Sequence, residues 1–448
     1  MYDVTVIGGG LSGVAAATAA AKMDLKVCLV ESQGVLGGTA TTSYVNPFMK
    51  WSVLTNGERK PIIRGVFEEI LKRLEEVGGV DPSFPAFFDT ELLKVVLLEM
   101  VLEYDVDVYF LTTFTESIVK EGKLRAIKTY SKKGYLIFES KVFVDATADA
   151  DVSVSAGVPY EIGDPQLGYT QPLTLMFKVS GIDFKRFIRF LKEHPEDVFK
   201  WVNIDHLEKC VEQGKPFSFA GLQMLVKKAK ERGDFPEITL IDYIAPLACF
   251  PQRGEAVFNN TRIQLVNGTD PLEVARATLE GYKQALQILK FLRKYVPGFE
   301  KSFLSQIPPK IGIRETRRII GEYILKYEDI VNLVEFPDKI ARACYGIDVH
   351  PVTPNGKGGM FYEIPPGKSY TIPLRSLIPL KIDNLLVAGR CISADHYAQG
   401  AIRVMPTVTA IGHAAGVAAG VSVLEEVVPR QVDYRVVQRE LLKQNAVL

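Results

Sequence analysis

Three glycines, Gly8, Gly10 and Gly13, bracket Leu11 and Ser12 in the order G-x-G-x-x-G. An acid, Glu31, follows 18 residues after Gly13 and is itself followed by Ser32. Glycine chemistry of this kind serves phosphate. The first glycine permits a tight turn. The second lets backbone come close to a pyrophosphate. The third lets a helix sit close to a sheet. Amides at the start of that helix bind the phosphate, and the acid accepts hydrogen bonds from ribose hydroxyls. A 2′-phosphate would be repelled by Glu31, which disfavours NADP. The motif has the context that makes it informative. Asp3–Ile7 reads as a buried strand, an alanine-rich helix runs from Val14 to Lys22, and Lys26–Val30 is a second strand ending at Glu31.

NAD and FAD share this fingerprint, and three features favour FAD. Gly37-Gly38-Thr39 gives a second close backbone approach soon after Glu31. The small-residue turn Ala146-Thr147-Ala148-Asp149 follows the buried strand Lys141–Asp145. Near its far end the chain returns with the short strand Asn384–Val387, then Gly389-Arg390, and a helix opening at Met405-Pro406-Thr407. Proline suits a first helical turn because it has no N–H to lose there. That helix start could face the flavin pyrimidine and favour negative charge on it. No second strand-linked glycine fingerprint occurs, so reducing equivalents would come from the substrate or a partner.

The segment between the last strand and this helix carries the candidates for chemistry. His396 is the candidate proton-transfer group, since histidine changes charge near neutral pH. Arg403 could hold a substrate carboxylate or the flavin carbonyl edge. Arg314, Arg317 and Arg318 stand at i, i+3 and i+4, a spacing that predicts one shared helix face, with Arg314 a further candidate for the site. The bland alternative is a solvated basic face paired with Glu315 and Glu322. His350, before Pro351, is a weaker acid/base candidate. Cys391 reads as a small buried thiol, because disulfide exchange needs a second cysteine nearby. Gly412, Gly416 and Gly420 would let the last helix pack closely on the nucleotide domain.

These groups need a frame to hold them. Further helices are predicted at Ile62–Val77 and Thr90–Tyr104, a strand at Val106–Leu111, and a meander over Thr115–Phe138 with turns at Glu121-Gly122 and Lys133-Gly134. From about residue 159 to 369 the βαβ rhythm stops, and a long amphipathic helix runs over Asp270–Tyr295. The expectation is an α/β chain. A Rossmann-like, three-layer ββα domain would be built from residues 1–158 and 370–448, with an inserted α+β substrate domain over 159–369.

The chain has 448 residues, and its 53 Lys+Arg balance 53 Asp+Glu. A neutral total lowers the prospect of a nucleic-acid partner, whose binding rests on basic surplus. The 47% apolar and 24% charged composition is that of a globular chain rather than a disordered one. Five scattered cysteines form no CxxC pair, which excludes a zinc ribbon; no metal site is expected. No secretory pattern opens the sequence, and the apolar stretch Ala410–Leu424 reads as too short to span a membrane. A cytoplasmic setting without a membrane partner is therefore expected.

The chain resembles the glutathione-reductase-type FAD flavoproteins, and within them the FAD-dependent oxidoreductase family related to fumarate reductases and L-aspartate oxidases. The resemblance rests on VIGGGLSGVAAATAAA, VESQGVLGGTAT, VFVDATADADVSVSAG, IGIRETRRIIGEY and NLLVAGRCISADHYAQGAIRVMPTVTAIGHAAGVAAG. One departure is Ala148, where many such proteins carry glycine. The resemblance implies tightly bound FAD and hydride exchange between flavin N5 and a small polar or anionic substrate, with oxygen or another acceptor completing the cycle. A fumarate-reductase-like enoate reductase and a tRNA-modifying flavoprotein are the alternatives. Oligomeric state is left open.

Overall fold

The structure is a computed structural model that describes residues 1–236, 238 and 241–448. Its centre is a parallel sheet in the order Asp107–Tyr109, Val27–Val30, Tyr2–Ile7, Gly134–Asp145, Leu385–Val387. Val4, Val6, Val27, Leu29, Val142, Val144, Leu385 and Val387 are all buried. Both faces are covered, which is why these strands read as unbroken apolar runs. The strand Gly134–Asp145 serves two sheets. Ser140 to Asp145 pairs in parallel with Tyr2–Ile7, while Gly134 to Glu139 pairs antiparallel with Lys123–Ser131, which pairs in turn with Thr113–Lys120. That meander is the third layer of a ββα stack.

The helices Leu11–Ala21 and Met405–Leu424 pack together on the other face. A Cβ added at Gly412 would lie 2.0 Å from the Ser12 carbonyl oxygen, and one at Gly416 would lie 2.1 Å from that of Ala16. Backbone touches backbone here, so no side chain fits. Met405–Leu424 has 20 residues and is long and apolar enough to cross a membrane, which corrects the shorter extent read from sequence. In the fold it is a core helix, with 78% of its most apolar window buried.

A second apolar core lies in the insert. Phe187 meets Phe219 and Phe299 edge-on, each at 5.3 Å between ring centres. The insert's sheet is antiparallel, in the order Pro246–Phe250, Glu255–Phe258, Phe177–Ser180, Phe303–Gln306. Its long helix Pro271–Tyr295 starts where Asp270 accepts from the Leu272 and Glu273 amides at 2.8 and 3.0 Å. Ile319, Leu325, Ile340, Ile347 and Ile364 fall within the 159–369 stretch, yet their side chains join the core of the nucleotide domain.

The arginine segment is not the helix its spacing predicts. Arg317–Ile319 is a strand paired with Tyr160–Ile162. In an extended chain successive side chains point to opposite sides, so neighbouring arginines diverge.

Candidate functional site

Gly8 has φ +102°, and a Cβ there would meet the Ala146 carbonyl oxygen at 2.4 Å. A Cβ on Gly13 would lie 1.7 Å from the Gly8 carbonyl oxygen. The fold itself demands these two glycines. Gly10 differs: its φ is −65°, and its nearest neighbour would be the Gly38 Cα at 3.9 Å. Nothing in the protein requires glycine there; the open space does. No side chain caps the helix that Gly10 opens, so its first amides face that space. Gly37 and Gly38, at φ +104° and +54°, bring the second loop against it, and the Gly37 amide donates to the Gly9 carbonyl at 2.8 Å. Thr39 opens the short turn of helix that follows.

Glu31 is buried and braces the turn. Its Oε2 accepts from the Gly9 amide at 2.5 Å, and its Oε1 from the Gln33 amide at 2.7 Å and from Ser32 Oγ at 3.1 Å. A carboxylate offers about four acceptor positions, which leaves capacity for a ribose hydroxyl. Thr147 Oγ1 donates to Asp145 at 2.6 Å. Ala148 sits at φ +69°, the left-handed region, which explains glycine's advantage at that position. Asp149 accepts from Arg390 at 2.6 Å and from Thr316 at 2.7 Å. Burial acts to raise the Asp149 carboxyl, but Arg390 and Lys310 outweigh it and hold it below the usual range. Gly389, at φ +100°, lies against Ser12. Pro406 stands in the uncapped first turn of Met405–Leu424. Thr407 Oγ1 and Arg390 Nε are buried without a hydrogen-bond partner among the described residues. The vacant space over Gly10, two uncapped helix starts and these unpartnered atoms fit an FAD extended between the two helices.

Beside Thr39 and Met405 lies a cavity of about 170 Å³. Its polar wall includes Arg314, Tyr345, Asp348, His350, Arg390 and Arg403. Arg314 donates to the Pro172 carbonyl at 2.6 Å and to Thr174 Oγ1 at 2.7 Å. Burial, aided by Arg403, pushes its guanidinium down to about 9. Arg403 donates to the Asp348 carbonyl at 2.8 Å and lies 3.4 Å from its carboxylate. Tyr345 donates to that carboxylate at 2.7 Å, and burial raises the Tyr345 phenol. Burial acts to raise Asp348 too, but the Arg403 guanidinium outweighs it and holds the carboxyl below the usual range. His350 is pushed down to about 3 by burial and by Arg314. Its Nδ1 lies 3.4 Å from a nitrogen of Arg262. A guanidinium only donates, so Nδ1 is the lone-pair side and the neutral ring carries its proton on Nε2.

His396 is placed elsewhere. It is buried, with Nδ1 2.8 Å from Glu315 Oε1, and is not among the residues of the cavity wall. Glu315, fully buried, also pairs with Arg318 and accepts from the Gln171 amide at 3.1 Å. The three arginines therefore part company, which corrects the shared helix face. Arg314 enters the cavity wall. Arg317 donates to the Asp149 carbonyl at 2.7 Å and pairs with Asp151. Arg318 is buried against Glu315 and the Ala394 carbonyl. Cys391 is a buried thiol, pushed well up by desolvation. Asp348, Tyr345 and Arg262 were not marked out by the sequence reading. The alternation Ile347, Asp348, Val349, His350 was the available signal: period two puts Asp348 and His350 on one face.

Among solved structures, the chain is similar to a geranylgeranyl bacteriochlorophyll reductase-like protein of Thermoplasma acidophilum, at 13% identity over all of this chain and 84% of that one, with a TM-score of 0.46. It is also similar to p-nitrophenol 4-monooxygenase of Pseudomonas putida, at 10% identity over 99% of this chain and 84% of the other, with a TM-score of 0.44. A mitochondrial dihydrolipoyl dehydrogenase of Arabidopsis thaliana is 29% identical over 152 residues, 34% of this chain. The chain spans only 26% of that relative's length. The model of the FAD dependent oxidoreductase family matches residues 3–441, nearly the whole chain, and the protein belongs to that family as an FAD-dependent enzyme.

Proposed function

We propose that the protein exchanges a hydride between flavin N5 and a small polar or anionic organic substrate seated in the arginine-walled cavity. The observation that supports this is the convergence of Arg314, Arg403 and His350 on the cavity beside Thr39 and Met405, residues of the two segments that fit FAD. Bound FAD supplies two-electron acceptor chemistry; orientation and electrostatics come from the protein. Arg314 and Arg403 orient the substrate through charge-assisted hydrogen bonds. Asp348, gripped by Tyr345 and Arg403, fixes the latter's position. Val45, Met176 and Leu247 form the apolar side of the wall and limit water. His350, whose ring reaches the cavity wall where His396 does not, is the proposed proton-handling group. It would offer its Nε2 hydrogen to a substrate oxygen as a neutral donor.

The test is anaerobic bleaching of the flavin band by a panel of hydroxy acids, amino acids, amines and sugars. A responding compound should lose at least about tenfold in kcat/KM with Arg403→Leu, the loss of one charge-assisted contact. His350→Gln should lower kcat, while His396→Gln should chiefly lower stability. Bleaching by no member of the panel, together with failure of an enoate to reoxidise photoreduced flavin, would refute the reading in both directions of transfer.

A further inference from the structure

We infer that Arg262 is a positioning residue: from the insert, behind the His350 ring, it holds the hydrogen of the neutral ring on Nε2. This rests on the reading of His350 as the group that meets substrate. Arg262 is not among the residues of the cavity wall, so it acts on the site only through that ring.

The contact joins two cores. Ile347 and Val349, on the strand that leads into His350, are buried in the core of the nucleotide domain. Ile263, next to Arg262, packs in a separate core with Leu173 and Leu175. Between them a nitrogen of Arg262 lies 3.4 Å from His350 Nδ1. The backbone of Arg262 is held at both ends by Gln284 of the long helix Pro271–Tyr295. Its amide donates to Gln284 Oε1 at 2.9 Å, and its carbonyl accepts from Gln284 Nε2 at 3.3 Å. Two residues on, Gln264 Nε2 donates to the Pro351 carbonyl at 2.8 Å and to that of Thr353 at 2.9 Å. The loop that follows His350 is thus tied to the segment that carries Arg262. Phe361, from the partner strand of the hairpin, meets the ring edge-on at 5.7 Å between centres.

The donor inventory then decides where the hydrogen goes. A guanidinium has donors and no acceptor, so the Nδ1 that faces it presents its lone pair. The hydrogen of the neutral ring is left to Nε2, which lies 3.6 Å from Asp348 Oδ1. That distance is too long for a hydrogen bond, and Asp348 already accepts from Tyr345 at 2.7 Å. Among the described residues the Nε2 hydrogen is therefore uncommitted. The charged groups that act on the ring include Arg314, Asp348, Arg262 and Arg403, with the Tyr345 phenol beyond Asp348. Burial first, then Arg314, with Arg262 and Arg403 adding to them, pushes the ring down to about 3. Of these groups Arg262 is the one within hydrogen-bond distance of a ring nitrogen among the described residues. The insert thus fixes the form in which a residue of the nucleotide domain's hairpin is presented.

The experiment is NMR of the FAD-loaded protein carrying ¹⁵N-labelled histidine. The chain has five histidines, and His350→Gln identifies the His350 signals by their absence. In the wild type, His350 should show a protonated Nε2 and an unprotonated Nδ1 throughout about pH 5–8, where an ordinary histidine titrates. A donor on the lone pair draws the Nδ1 resonance toward that of a protonated nitrogen. Arg262→Met removes donor and charge together. The Nδ1 resonance should then move the opposite way, and the ring should take its second proton at a higher pH than in the wild type. Arg262→Lys keeps a charged donor and should reverse both changes. Flavin absorbance checks that each variant still holds FAD. Should Arg262→Met lose its flavin, the placing of the proton in the wild type decides by itself. A wild-type His350 protonated on Nδ1, or on both nitrogens at neutral pH, would overturn the inference. So would an Nδ1 resonance and a titration unaltered in Arg262→Met. These readouts need no substrate. If they hold and no member of the panel bleaches the flavin, the hydride reading fails and the role of Arg262 stands. Bleaching that depends on His350, in a protein whose Nδ1 carries the proton, would do the reverse.

Discussion

Replacing Gly10 with alanine separates what the fold needs from what the cofactor needs. The backbone at Gly10 is extended, at φ −65° and ψ 175°, a conformation alanine adopts freely. Its Cβ would touch no atom closer than the Gly38 Cα at 3.9 Å, an ordinary contact. The apoprotein should thus lose nothing. Restricting the unfolded chain should add about 0.4–1 kcal/mol. For a chain this long that moves the melting temperature by about 1 °C or less. The methyl group occupies the space over which the helix amides are open. Displacing a phosphate from even one amide removes a charge-assisted hydrogen bond of about 1.5–3 kcal/mol, or roughly a 10- to 150-fold loss of FAD affinity. The assay pairs thermal unfolding of the apoprotein with fluorescence titration of FAD. Gly13→Ala is the contrast, because its Cβ would lie 1.7 Å from a carbonyl oxygen, and it should fail to fold. Unchanged FAD affinity in Gly10→Ala, or an apoprotein clearly destabilised by it, would refute the reasoning.

Three further outcomes are expected. Gly416→Ala gains helix propensity but drives a methyl group to 2.1 Å from the Ala16 carbonyl, so it should cost about 1–3 kcal/mol by denaturant midpoint. Arg318→Met leaves Glu315 charged and buried, at a cost of about 3–5 kcal/mol, and adding Glu315→Gln should restore part of it. His413 is pushed down to about 4 by burial. Below pH 6.5 the unfolded chain binds a proton that the folded chain refuses until about pH 4, so stability falls with pH across that window, by up to about 3 kcal/mol. His413→Gln should flatten the decline; parallel pH–stability curves for the two proteins would contradict the assignment.

The nucleotide end was legible because its information is local. Gly8, Gly10 and Gly13 sit within six residues, and Glu31 follows one strand later, so a single βαβ reading reaches them all. Arg314, Arg317 and Arg318 have helical spacing too, and there the pattern misleads. The strand that overrides it, Tyr160–Ile162, lies about 155 residues earlier, and pairing at that distance leaves no local mark. The cavity wall is harder still. Asp348 and His350 come from a hairpin of Ile347–Val349 with Met360–Tyr362, and Arg403 from the end of the helix His396–Ile402. That short helix turns His396 inward to Glu315. Proximity in sequence to the flavin-facing segment could not show which way the ring would point.

The strand Gly134–Asp145 stands between the opening strand and Leu385–Val387, and the opening helix is covered by Met405–Leu424. This has a consequence for synthesis. The dinucleotide motif leaves the ribosome well before its covering helix, which follows about 400 residues later. At about 5–20 residues per second that is an interval of roughly 20–80 s. Throughout it, the alanine face of Leu11–Ala21 lacks its partner, and FAD lacks the second helix start of its site. Cofactor capture in this protein therefore waits for Met405–Leu424, and is completed when that helix closes over Leu11–Ala21.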